Sequence, residues 1–196
     1  MASGESSGTK SNAALGFLTI VEHEPHGLFG GYLVLNTAGR PVEFHCTAPI
    51  RPNRAQQILY GPTLEPFLFG EHIGRTLLEK ATSPPLVVCT DRRAALSLRE
   101  HVEVPVALVL DGENEAEASA SLSESSYKQW RVDGPHVVGS ALSEFRLGCN
   151  HLAVLNRATN DRQQIQDRLG EIAETFVLAE PFTRIREAID EARQGG

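Results

Sequence analysis

Glu43 and His45 stand two residues apart in Pro41–Thr47, a run in which apolar and polar side chains alternate. On a strand that spacing puts both on one face, where a carboxylate beside an imidazole makes a usable acid–base pair near neutral pH. Thr47 continues the same face. Downstream, Arg51 and Arg54 lie in Ala48–Tyr60, which contains no acid. Asn53 with Gln56 three residues later has the spacing of a capping box, so an anionic ligand could meet two arginines at a helix N-terminus. Gln57 and Tyr60 extend this strip. The same residues also describe a solvated strand face and a capped surface helix, so the strip reads as a binding surface before it reads as a catalytic one.

Asp91 and Asp111 offer different chemistry. Each follows an apolar run, Leu86–Thr90 and Val104–Leu110. If the two strands are parallel, both carboxylates stand beyond carboxyl ends, where open α/β sheets bind ligands. There they could hold Mg²⁺ for hydrolysis or phosphoryl transfer, with His45 as general base. The competing account makes Asp91 the cap of a helix over Arg92–His101 and Asp111-Gly112 a turn. A zinc site has three short-spaced donor pairs to draw on: His23 with His26, His45 with Cys46, and Cys149 with His151. No C-x₂-C pair supports it, and Cys46 and Cys89 suit buried apolar positions. No G-x-S-x-G elbow, G-x-G-x-x-G turn or Walker loop occurs, so no cofactor is implied.

The elements that would position these groups follow from pattern. Residues 1–13 are polar and aperiodic and read as a disordered tail. Strands are expected at Leu15–Val21, Phe29–Asn36 and Pro41–Thr47, the last two joined by a Gly-containing hairpin link. A short helix from Asn53 stops at Gly61-Pro62. A longer one covers Leu64–Lys80, with Gly70 and Gly74 inside it signalling close backbone packing or a bend. Leu86–Leu110 reads as a βαβ unit buried on both faces. Residues 111–126 carry five acids and no base, which predicts a mobile insert. Tyr127–Val132 and His136–Val138 look like short strands, and His151–Leu155 like an edge strand. Asn160 with Gln163 suggests a cap for an amphipathic helix through Ile165, Leu169, Ile172 and Phe176. Pro181 opens a last helix with Phe182, Ile185, Ile189 and Ala192 on its apolar face. The stripes of these two helices are narrow enough to pack on each other or to supply a dimer face.

The 196 residues suffice for one domain. The net charge of −7 disfavours bulk nucleic-acid binding and a polybasic membrane anchor. Five of those charges sit in the acidic insert, so the remainder is nearly balanced. Three scattered cysteines suit a reducing compartment. No signal peptide is evident, and no apolar run approaches the ~20 residues of a membrane span; a cytoplasmic location is expected.

Gly31–Leu64, GYLVLNTAGRPVEFHCTAPIRPNRAQQILYGPTL, resembles a motif of uncharacterised bacterial proteins in which a hairpin ending in E-F-x-x-T-x-P leads into a Q-x-I-L-Y-G helix. The closing EPFTRIREAI is similar to the C-terminus of that group. The resemblance implies no particular activity. The hairpin followed by a helix also resembles profilin-like and roadblock-like modules in pattern.

The sequence therefore predicts a single α/β domain over 14–196, with α+β as the alternative class. It comprises an N-terminal antiparallel hairpin sheet, a βαβ segment, an acidic insert and two C-terminal helices. The expected function is a non-catalytic interaction or regulatory module that binds a protein or a small anionic ligand through Glu43, His45, Arg51, Arg54, Gln57 and Tyr60, and homo-oligomers are compatible with it. The alternative is a metal-dependent hydrolase or phosphoryl-transfer enzyme built on Asp91, Asp111 and His45. A third, zinc-stabilised class predicts stoichiometric bound zinc.

Overall fold

Two ten-residue strands, β1 (Ala14–His23) and β2 (Gly27–Asn36), pair antiparallel along their whole length and form the spine of the sheet. They are apolar on both faces because both faces are covered. β2 turns into β3 (Pro41–Cys46) through the expected hairpin. The Asn36 side chain accepts from the backbone of Ala38 and Arg40, and Gly39 takes φ +73°, which glycine adopts without a Cβ clash. The computed structural model describes residues 13–110 and 141–194. The acidic insert, Asp111, and the strands expected at 127–132 and 136–138 lie outside the described residues, as does all but the last residue of the tail.

β4 (Pro85–Thr90) lies parallel to β1, and β5 (Val106–Leu110) parallel to β4. A hairpin of β6 (Leu142–Leu147) and β7 (Asn150–Leu155) completes the sheet antiparallel to β5. The order is β3-β2-β1-β4-β5-β7-β6. Among the described residues this is a mixed seven-stranded sheet in one α/β domain. β7 is internal and β6 is the edge, which corrects the expectation for His151–Leu155.

Helices cover both faces. On one, α4 (Asp161–Ala173) and α5 (Glu180–Gln194) bury Ile165, Leu169, Phe182, Ile185 and Ile189 against Leu15, Phe17, Leu33, Cys89 and Val109. These apolar stripes are used on the sheet, and Ala192 is exposed beyond them. The expected Asn160 cap does not form; Asn160 makes no side-chain cap bond. Asp161 is buried instead and takes a two-pronged ion pair from Arg99, at 2.7 and 3.1 Å.

On the other face a continuous helical run spans the predicted Leu64–Lys80 in three parts. They are α2 (Leu64–Pro66), a π-helical stretch (Phe67–Gly74) and α3 (Arg75–Lys80). It packs on a 3-10 helix, Arg93–Glu100, which makes the β4–β5 crossover. A Cβ at Gly70 would collide with Ser97 Oγ and the Leu98 backbone nitrogen. The glycine therefore permits the backbone contact its position signalled. Leu18, Tyr32, Val88, Ile73, Leu77 and Leu98 fill this layer.

Candidate functional site

β3 is an edge strand, and its two faces are inverted from the usual arrangement. Val42, Phe44 and Cys46 point to solvent, with Val42 50% and Phe44 39% exposed. Glu43, His45 and Thr47 are half-buried. The reason is tertiary. α5 does not reach over β3, whereas the turn after α3 folds across its polar face. Cys46 is thus exposed rather than buried, while Cys89 is buried as expected and its thiol is pushed up to about 12. Neither property suits Cys89 to act as a nucleophile.

Glu43 and His45 do share a face, with Oε2 3.0 Å from Nε2. Glu43 also accepts from the Thr82 backbone at 2.9 Å and the Thr82 hydroxyl at 2.7 Å. Its carboxyl is held well below the usual carboxylate range, chiefly by the Ser83 hydroxyl, then by His45 and Thr82. A carboxylate so stabilised in its charged form is a poor proton acceptor. Its visible work is to pin the turn after α3 to the sheet edge. Thr47 is engaged similarly, accepting from Gly30 N at 2.9 Å.

The rest of the strip belongs to α1 (Arg54–Tyr60) and its approach. The capping box forms: the Asn53 side chain accepts from Gln56 N at 2.8 Å and Gln56 Oε1 accepts from Asn53 N at 2.9 Å. The helix N-terminus is therefore served by its own side chains. Arg51 Nε donates to His26 O at 2.7 Å, tying this segment to the β1–β2 turn. Gln57 reaches the Pro52 carbonyl at 3.5 Å. Arg54 is exposed. Tyr60 stacks on Phe67 at 4.5 Å, and Phe67 in turn stacks on His72 at 6.1 Å. Among the described residues no hydrogen bond, ion pair or ring contact joins Glu43 or His45 to Arg51, Arg54, Gln57 or Tyr60. The strip is therefore not one converging constellation.

What the residue-type search missed is apolar. α1 buries nothing, and Ile58 and Leu59 are 68% and 82% exposed. The sequence held a faint signal, since a seven-residue helix between two prolines has little surface to bury. Phe67 and His72 also escaped notice because their partner, Tyr60, is brought to them only by the turn at Gly61.

Asp91 is not a helix cap. The 3-10 helix begins at Arg93, Arg92 occupies the cap position without a side-chain cap bond, and Thr90 Oγ1 accepts from Arg92 N at 3.1 Å. The Asp91 side chain is 1% exposed and ion-paired with Arg186 of α5. Burial raises its pKa, opposed by Thr19, Arg186 and Arg92. Neither Thr19 Oγ1 nor Asp91 Oδ1 closes a hydrogen bond of ordinary geometry. Arg92 donates to Ile20 O at 2.8 Å.

His45 does not converge with Asp91. His45 pairs with Tyr32, Tyr32 with Leu18, and Leu18 with Thr90. Three strand spacings, about 14 Å, separate His45 from Thr90. Asp91 also faces α5 while His45 faces the α3 side. The register therefore keeps His45 apart from Asp91. Members of the candidate zinc pairs have other partners. His23 lies 3.1 Å from Asp190, His151 3.3 Å from Glu144, and Cys149 approaches the Ala173 and Phe176 carbonyls. Among the described residues no three His, Cys, Asp or Glu side chains cluster as a metal site, and no helix is long and apolar enough to cross a membrane.

No family model matches the sequence, and no curated protein is significantly similar to it. Among solved structures the fold is similar to one described as the crystal structure of human ENDOV. That likeness has 13% identity and a TM-score of 0.42 and covers 94% of this chain and 87% of that one. It carries no inference about function.

Proposed function

We propose that the protein is a non-catalytic interaction module that engages a partner protein through the surface running from β3 to α1. One observation carries this reading. Among the described residues, five large hydrophobic side chains are exposed, and four of them, Val42, Phe44, Ile58 and Leu59, fall within this segment. The four are close in the chain, and exposed apolar side chains gathered in one segment are the kind of surface that partners use. Arg54 and Gln57 flank the apolar pair on α1 with no acid nearby in sequence, which favours a partner surface that is apolar with acidic surroundings. A protein partner is preferred to a small anion because the capping box and the Arg51–His26 bond already use the groups an anion would need.

Capture experiments with the purified, tagged chain test this. The double substitution Ile58→Asp/Leu59→Asp should reduce recovery of specific partners about tenfold or more, the scale of central interface residues. Arg54→Ala should weaken it less, and Val177→Asp, at the fifth exposed hydrophobic, should leave it unchanged. Arg51→Ala is less informative because that side chain also holds the β1–β2 turn. An identical set of partners on the double variant would reject the reading.

A further inference from the structure

The geometry of α1 points to the kind of partner its surface fits. We infer that it is a short acidic amphipathic helix, laid along α1 with a carboxylate at Arg54 and apolar side chains at Ile58 and Leu59. The inference rests on the reading of β3–α1 as interaction surface and assigns the partner of its helical half.

A seven-residue helix that buries no residue has little to hold it in water, where isolated helices shorter than about 12 residues are marginal. α1 is instead fastened at both ends. The Asn53–Gln56 capping box closes its N-terminus, and Arg51 ties the preceding residues to the β1–β2 turn. At the other end Tyr60 stacks on Phe67, and the Thr63 hydroxyl donates to the Tyr60 carbonyl at 2.8 Å. Gly61, at φ +49°, donates its N–H to the Gln57 carbonyl. Pro52, Gln56 and Tyr60 recur four residues apart and form the half-buried side. Arg54 and Ile58 each lie about 200° around the helix from Gln56, at 3.6 residues per turn, and so face away from that side. A helix already formed and turned to solvent spares its partner the cost of ordering it.

The free side carries a pattern that selects among partners. Arg54 precedes Ile58 by one turn and Ala55 precedes Leu59 by one turn, so the surface is basic at its first turn and apolar at its second. Its charge is uncompensated. Arg75, Arg99, Arg157, Arg184, Arg186 and Arg193 each pair with a carboxylate of the chain. Among the described residues Arg51 and Arg54 pair with none, and Ala48–Tyr60 supplies no acid. A partner with carboxylates here gains attraction, and a basic one meets repulsion. The complement needs acid and apolar groups one turn apart, the spacing that a helix gives at i and i+3 or i+4. Two turns, about 10 Å long, match a helix of similar length better than the roughly 800 Å² that each partner buries in a standard protein–protein interface.

Panning a phage-displayed random dodecapeptide library on the immobilised full chain tests the inference, with Ile58→Asp/Leu59→Asp as the counter-selection that removes peptides bound elsewhere. The enriched peptides should carry Asp or Glu three or four residues from Leu, Ile or Phe, and their synthetic forms should gain helical circular dichroism on binding. Arg54→Glu keeps α1 intact, since an acid suits a first helical turn. It should weaken these peptides about tenfold and favour counterparts with lysine in place of the acids. Val177→Asp should bind them as the wild type does. Enrichment of basic or uncharged peptides, enrichment of none, peptides that stay extended when bound, or an Arg54→Glu variant with unchanged charge preference would overturn the acidic helix. If Ile58→Asp/Leu59→Asp still loses its captured partners in that event, this inference alone fails; unchanged capture would remove the interaction surface as well.

Discussion

At the scale of single residues, the Glu43–His45 pair shows how the same spacing serves two ends. Two residues apart on a strand guarantees a shared face, and the 3.0 Å contact follows. What spacing leaves open is what else reaches the carboxylate, and here Thr82 and Ser83 make it a strut. Because the folded-state pKa of Glu43 is depressed, the linked stability is fully present above the ordinary value of 4.5 and is lost as pH falls through and below it. Glu43→Gln should therefore flatten the acid limb of a stability-against-pH curve below about pH 4.5, with little change in the limb above pH 7. Chemical denaturation across pH would check this, and parallel limbs in the two proteins would mean that Glu43 does not tie the turn.

At the scale of elements, the Leu64–Lys80 run was legible from its apolar spacing and its stop signals, and its glycines correctly signalled a close approach. That Phe67–Gly74 is π-helical was not legible, because the wider turn depends on how the run seats on the 3-10 helix. Gly70 separates two effects that a sequence argument conflates. Helix propensity predicts that Gly70→Ala stabilises by ~1 kcal/mol. The collision with Ser97 and the Leu98 backbone predicts a cost of about 1–3 kcal/mol. A flexible side chain could move aside, but the Leu98 nitrogen cannot, so net destabilisation is expected. A denaturant midpoint at or above that of the wild type would show that the two helices slide apart at little cost. β3 carries the reverse lesson. Its alternation was read correctly, yet the conventional assignment of the apolar side to the interior fails because, among the described residues, Val42, Phe44 and Cys46 on that side are exposed.

At the scale of the whole molecule, helices on opposite faces of the sheet are joined by one buried ion pair. Arg99 leaves the 3-10 helix and meets Asp161 at the start of α4, where the carboxylate is 1% exposed. Removing Arg99 strands a buried charge, a change that costs far more than the net worth of the pair. Since Arg99 is itself partly exposed, some water would follow, and Arg99→Ala should destabilise by about 3 kcal/mol. Arg99→Ala combined with Asp161→Asn should recover much of that loss. A double variant no better than the single would indicate that Arg99 acts through its bond to the Val102 carbonyl instead.

The sequence by itself determined many of the elements: the N-terminal hairpin sheet, the parallel β4–β5 pair and the amphipathic C-terminal helices. These follow from periodicity, turn chemistry and caps, which act over a few residues. It also marked Glu43–Tyr60 as a candidate binding strip. Tertiary structure alone decided that Asp91 meets Arg186 and not a helix end, that His45 lies three strands from Thr90, and that β3 turns its apolar side to solvent. Each of these depends on strand order and on how far a distant helix extends. Such facts are set by the packing of residues far apart in the chain, as Asp91 and Arg186 are, and no local spacing encodes them.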